Sequence, residues 1–239
     1  MKKILTILFV LLSFGLRAQI SVVTSHTDVF GVGGGTGASF STAGANMLYV
    51  VLTYRTAGSG GNLSDSKSCT WIKDAEYQGG SSQSGITIYH CKPCSVGTGH
   101  TFSTTNDDCG LNVLAVSGAS TSSPLDQTNG QYLVTSVSPM YPLTITPSFS
   151  NCIVVTGVCD VVAGASAPTI PSGYTVIGAT YPTSTAYSGG AAYKIQTTAG
   201  AENGGWTITT SGGNASAAQA SFKSSNSSST NSLILIMTQ

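Results

Sequence analysis

The sequence predicts an all-β protein: a single antiparallel β-sandwich or barrel behind a signal peptide. Three observations carry that prediction. Short apolar runs recur with period-two spacing and β-branched or aromatic residues; turn signals arrive roughly every eight to twelve residues; and no amphipathic helical period follows the first 18 residues. At 239 residues the chain is long by the usual prior for one domain, but β-sandwiches commonly reach that length undivided.

Ala45–Arg55 (ANMLYVVLTYR) is the stretch around which the rest is organised. Leu48, Val50, Leu52 and Tyr54 fall on one face of an extended strand, and Met47, Tyr49, Val51, Thr53 and Arg55 on the other. Both faces are largely apolar through Val51, which predicts a central strand covered on both sides. Leu111–Val116 and Cys152–Val158 read as its partners.

Taken in order, the chain opens with Lys2 and Lys3, the apolar run Ile4–Leu12 and small residues, the pattern of a secretory signal peptide. The run is too short to span a membrane. Cleavage is expected after Ala18 or, alternatively, after Gly15. Loss of Lys2, Lys3 and Arg17 would leave six basic and nine acidic side chains, a net charge of −3. The mature product is expected to be secreted or held at the cell surface. With no basic stripe in a chain this sparsely charged, nucleic acid is not an expected partner.

Ile20–Phe30 reads as a polar edge strand, and Gly31–Gly37 as a positive-φ turn; it lacks the Lys-Ser/Thr that a phosphate loop requires. After the central strand, Thr56–Ser68 reads as a polar loop. Cys69–Lys73 and Gly85–Lys92 read as a hairpin turning near Gly80, Gly99–Thr104 as a strand, Asn106–Gly110 as a turn and Ser117–Asn129 as a long loop. Strands are expected near Gln131–Val137 and Leu143–Thr146, demoted to edges by Pro139, Pro142 and Pro147. Cys152–Val158, Tyr174–Tyr181, Ala191–Thr197, Trp206–Thr210 and Ala215–Lys223 complete the series.

Several segments carry a resemblance: ANMLYVVLTYR, CTWIK, GITIYH with CKPCSVGTGHTFS, LNVLAVSGASTSSPLD, GGAAYKIQ, WTITT and the closing ASAAQASFK. In this order they resemble a loosely defined class of secreted bacterial and phage-associated β-sandwich modules. The resemblance implies a jelly-roll-like sandwich of extracellular proteins without an assigned activity, and brings no catalytic residues with it.

Six cysteines in an exported chain read first as disulfides. The expected hairpin sets Cys69 opposite Cys91, and Cys94 and Cys109 bracket the next one, so Cys69–Cys91 and Cys94–Cys109 are the preferred pairs. Pro93, third in the turn, argues against Cys91–Cys94. Cys152 and Cys159 lie on opposite faces of one strand, about 23 Å apart at ~3.3 Å per residue. His90-Cys91-x-x-Cys94, with His100 and Cys109 nearby, offers soft ligands, but one Cys-x-x-Cys in an oxidising compartment reads as disulfide rather than zinc. No metal or cofactor site is assigned, beyond the side-chain oxygens of Asn106-Asp107-Asp108 as an option for structural Ca²⁺.

No catalytic constellation emerges. There is no G-x-S-x-G; Ser64-Asp65-Ser66-Lys67 fits S-x-x-K without its companion motifs; Glu76 and Glu202 would have to meet in space to act as a glycosidase pair. The expectation is a non-catalytic structural or adhesive protein of the cell surface or an extracellular assembly. The alternative is a carbohydrate-binding module that uses Tyr77 or Trp71 as a stacking face for surface glycans. Trp71 and Trp206 are otherwise expected to fill the sandwich core, with Tyr77 in a turn and the better surface candidate.

The tail sets up a third reading. The domain is expected to span residues 19–223, followed by a Ser-rich linker (224–232) and a terminal apolar strand (233–239). Leu233, Ile234, Leu235, Ile236 and Met237 are apolar on both faces, and burying each could contribute roughly 1.5–3 kcal/mol before ordering costs. Such a strand must be covered by its own sheet or by another copy of the chain, as in a fibre or shell.

Overall fold

The computed structural model describes residues 19–55, 60–162, 166–170, 172–180, 187–208 and 212–225. The signal-peptide expectation (1–18) and the terminal strand Leu233–Met237 both lie outside these residues. Within them the protein is all-β, without helix, and every strand pairing is antiparallel.

The first sheet has the order β1 (Ser21–Phe30), β8 (Asp107–Ser117), β3 (Met47–Arg55), β6 (Ser84–Cys91), β5 (Trp71–Gln78). The second has the order β11 (Thr175–Thr180), β12 (Ser188–Gln196), β10 (Cys152–Val161), β13 (Asn214–Phe222), β9 (Leu125–Leu133). A small third sheet joins β2 (Gly35–Thr36), β7 (Phe102–Thr104) and β4 (Ser64–Asp65).

The alternation in β3 divides its side chains between two cores. Met47, Tyr49 and Val51 enter the core between the two large sheets, where the Tyr49 and Phe222 rings stack 4.2 Å apart. Leu48, Val50, Leu52 and Tyr54 enter a second core with Phe102 of the small sheet, on the outer face of the first sheet. β3 pairs with β8 as expected, but Cys152–Val158 is not its neighbour. It forms the central strand of the opposite sheet, where Val155 faces the common core. Period two shows that both runs are buried; it does not distinguish pairing alongside from packing across. The sheets approach closely at Gly157, where an added Cβ would lie 2.6 Å from a Val51 methyl. Polar links also join them, among them the Tyr187 hydroxyl, which donates to the Thr53 carbonyl (2.8 Å) and accepts from the Gly110 N–H (3.0 Å).

A third core lies on the outer face of the second sheet. Val158, Ala192, Ala215 and Ala217 meet Met140, Trp206 and Ile208 there. Trp206 is therefore fully buried, but outside the space between the sheets where the sequence reading put it. Its cover is irregular: among the described residues, the segments expected as strands at 143–146 and 206–210 form no strand and meet their neighbours through the isolated bridges Met140–Trp206, Ile145–Glu202 and Thr169–Thr207. Prolines 139, 142 and 147 remove the backbone donors that a continuous ladder would use.

Other boundaries shift as well. Asn106–Gly110 is mostly strand, β9 begins inside the expected 117–129 loop, and β4 lies within the loop expected after the central strand. The last strand ends at Phe222; Ser224 is buried and bridged to Ala119, and the Ser225 N–H bonds Gly118, so the first two linker residues remain attached to the domain.

Candidate functional site

The densest convergence of polar chemistry lies in the outer core beneath the small sheet. Asp65 closes β4 and turns its carboxylate inward, accepting from the Lys67 N–H (2.7 Å), the Cys69 N–H (3.1 Å) and the Trp71 indole N–H (2.8 Å). His100, just before β7, has Nε2 at 3.0 Å from Asp65 and Nδ1 at 3.0 Å from the Thr42 hydroxyl. Its ring stacks on Phe102 at 4.2 Å between centroids. Cys69 is half-buried, its sulfur 3.3 Å from the Ser95 N–H. Burial pushes the Asp65 carboxyl up, but its bonds from Trp71, Lys67, His100 and Cys69 prevail and hold it below the ordinary value. For His100, burial prevails over Asp65 and lowers the imidazole.

This set lacks the relationship of a cysteine–histidine catalyst. Both imidazole nitrogens are engaged, by Asp65 and Thr42, and burial pushes the Cys69 thiol up to about 11, whereas a nucleophilic cysteine needs a lowered value. Trp71, read from sequence as a core residue or a sugar-stacking face, is a half-buried wall of this core and meets Phe102 edge-on at 6.0 Å.

The cysteines pair differently from the expectation: Cys91 is joined to Cys94, while Cys69, Cys109, Cys152 and Cys159 are thiols. The expected Cys69–Cys91 pair fails on register. The hairpin turns around Ser81 and Ser82 rather than Gly80, with an irregularity between Lys73 and Ala75, so Trp71 rather than Cys69 lies opposite Cys91. The expected Cys94–Cys109 pair gives way to the three-residue link, in which the Lys92–Pro93 peptide is cis, the form in which proline takes the third turn position. A groove of about 440 Å³ borders this bridge and is lined by Asn46, Met47, Lys92, Pro93 and Thr121.

The remaining candidates disperse. Tyr77 lies in β5, not in a turn, and packs against Gly130 at the edge of the common core. His90 faces Asp74, with both carboxylate oxygens 2.8 Å from Nδ1, and belongs to the opposite face from His100. Glu76 accepts from Lys73, Gly61 and Thr87 on the outer face of the first sheet, whereas Glu202 meets Lys194 and Tyr174 on the outer face of the second. They cannot form a pair across one substrate. The Asn106 side-chain amide oxygen accepts from the Asn62 N–H and the Thr104 hydroxyl, Asp107 accepts from the Gly33 N–H, and Asp108 pairs with Arg55 at 3.1 Å. The three neighbours thus serve three separate contacts.

The sequence did not single out Tyr141, which stands beside Pro142 between the strands expected at 131–137 and 143–146. It lies 43% exposed in an open cleft of about 480 Å³, with Thr169, Ile170, Asn203, Gly205 and Thr207 around it. The bare Gly205 lets its ring lie close, since an added Cβ would come within 2.5 Å of it. No family model, curated protein or solved structure matches the chain.

Proposed function

We propose that this protein is a non-catalytic, exported sandwich with a structural or adhesive role at the cell surface or in an extracellular assembly. One observation supports this reading above the others: the groups that could do chemistry are buried or engaged in contacts that hold neighbouring segments in place. Asp65 and His100 tie β4 to the segment before β7, Asp74 and His90 tie β5 to β6, and burial pushes the Cys109 and Cys152 thiols up to about 12 and about 11. The resemblance to secreted and phage-associated sandwich modules points the same way. Assay of the purified protein against panels of glycans and esters should give no turnover, and cell fractionation should find it outside the cytoplasm. Hydrolysis that disappears on His100→Ala or Glu202→Gln would overturn the reading.

The Tyr141 cleft favours a second reading, carbohydrate binding, in which an exposed ring surrounded by Asn and Thr side chains stacks on a neutral sugar. Glycan-array binding that is lost in Tyr141→Ala would select it over a purely structural role. A fibre or shell subunit joined through Leu233–Met237 is the third reading. Truncation after Ser225 should then leave a folded monomer that no longer assembles, as measured by size-exclusion chromatography at several concentrations.

A further inference from the structure

We infer that Asp65, Cys69 and His100 form a binding site for one zinc-class divalent transition-metal ion, completed by water, that cross-links β4 and the turn after it to the approach to β7. Among the described residues this is the one place where three such donors converge: a carboxylate oxygen, a sulfur and an imidazole nitrogen all lie within 4.8 Å of one another. That mixture suits Zn²⁺ and its neighbours, and is wrong for Ca²⁺ or Mg²⁺, which take oxygen ligands.

What distinguishes the cluster from a chance meeting is the support behind each donor. Trp71 and the Lys67 N–H hold the Asp65 carboxylate from behind. Phe102 fixes the plane of the His100 ring, and Thr42 fixes its far nitrogen. Thr42 is itself fully buried and bonded to both the N–H (3.0 Å) and the carbonyl (3.3 Å) of Gly97. A ligating histidine whose second nitrogen is held by a buried partner is the usual outer-shell arrangement at metal centres. Apolar side chains, Phe40 and Phe102 among them, close the core side of the cluster, and half-buried Cys69 leaves a way in from solvent.

The protons balance simply. Without metal, Nε2–H can donate to Asp65 while Thr42 donates to Nδ1. With metal, Nε2 presents its lone pair to the ion and the imidazole keeps its single proton on Nδ1. That proton is donated to the Thr42 hydroxyl, which turns its own hydrogen to Gly97. The Cys69 thiol proton leaves to solvent, so one proton is released per ion bound. The links made are between segments distant in sequence: β4 and the turn after it on one side, the approach to β7 on the other. The role is mechanical and stands apart from the proposed lack of catalysis.

The test uses the full purified chain, without reductant so that Cys91–Cys94 stays closed, stripped with chelator and titrated with Zn²⁺ and then with Co²⁺. Expected are one equivalent bound, a raised melting temperature, and for Co²⁺ an intense visible band with a sulfur-to-metal charge-transfer band in the near ultraviolet. Cys69→Ser, at a half-exposed position, should fold normally, lose the charge-transfer band and bind at least about tenfold more weakly. Cys109→Ser and Cys152→Ser should keep band and affinity. His100→Gln adds a second ligand test if it folds; Cys69→Ser decides without it. No stoichiometric binding at micromolar metal would overturn the inference. So would a charge-transfer band that survives Cys69→Ser, or one that is lost only in Cys109→Ser or Cys152→Ser.

Discussion

The two outer faces of the sandwich are covered by different means. Over the first sheet lies a regular small sheet, β2-β7-β4, bound to the layer below by stacked rings and the Asp65–His100–Thr42 chain. Over the second lie proline-punctuated segments that touch one another through single bridges and bury Trp206 beneath them. Both solutions keep the faces of central strands dry. The first pairs its backbone groups in a ladder, whereas the second relies on one large ring and scattered bonds, such as that from the Trp206 indole to the Thr156 hydroxyl (3.3 Å). A buried backbone needs partners either way, and the regular cover supplies them locally.

The largest test of this contrast removes the anchor of each cover. Phe102→Ala and Trp206→Ala should each cost about 3–5 kcal/mol in denaturant unfolding. Hydrogen exchange should separate them. Loss of Trp206 should free the amides of Met140 and Ile145 while β4 and β7 stay protected, and loss of Phe102 should do the reverse. If both variants open both covers equally, the two faces are one cooperative unit and the contrast fails.

Next in size is the link through the middle. Tyr187→Phe removes a hydroxyl bonded to Thr53 and Gly110 in a fully buried setting, so about 1–3 kcal/mol should be lost with both covers unaffected.

The pH dependence of the two faces should have opposite sign. Glu76, outside the first sheet, is raised by burial but lowered more strongly by Lys73, Gly61 and Thr87, so its folded value lies below the ordinary 4.5. Its contribution is present above that value and is lost as pH falls through the lowered one. Asp160, outside the second sheet, is pushed up to about 7 by burial and has no hydrogen-bond partner among the described residues. Its neutral form favours folding, so this contribution is complete in acid and is lost as pH rises from about 4 toward about 7. Stability measured across pH 3–8 should flatten at the acid end in Glu76→Gln and near neutrality in Asp160→Asn. A parent curve without the neutral slope would rule out the Asp160 assignment.

The smallest effect is expected at Tyr141. Tyr141→Ala should change stability by no more than about 0.5 kcal/mol, because the ring stands half in solvent. If glycan binding is a function of the irregular cover, that variant should lose it while Trp71→Phe, in the regular one, keeps it.

Much of the sandwich is legible in the sequence. Alternation in Ala45–Arg55 marks a strand wet on neither face, and Met47–Tyr54 are all buried. The Gly79–Ser82 turn, the edge strand at the start of the chain and the strands containing Leu111–Val116, Cys152–Val158 and Ala215–Phe222 follow from the same local rules. These features depend on near neighbours: period two fixes which face a side chain takes, and turn residues fix where the chain reverses.

Partners were the part that only tertiary structure decided. Burial is non-directional, so an apolar pattern suggests that Trp206 and Trp71 leave water without showing what covers them, and it missed that Tyr77 is covered at all. Each found a different cover: Met140, Phe102 and Gly130 respectively. The cysteines followed register, and a turn displaced toward Ser81–Ser82 was enough to change which residue faced Cys91. Asp65 and His100 were read separately, one inside a weak S-x-x-K match and the other beside Cys-x-x-Cys, and they meet because β4 and β7 pair over the same hydrophobic face. By itself, then, the sequence determined the buried central strands and their main turns, because those are written in local periodicity, while the shorter strands and the covers were not. The cluster of Asp65, Cys69 and His100 was decided by how three layers stack, since contacts between distant segments depend on the packing of whole sheets and not on the spacing within any one of them.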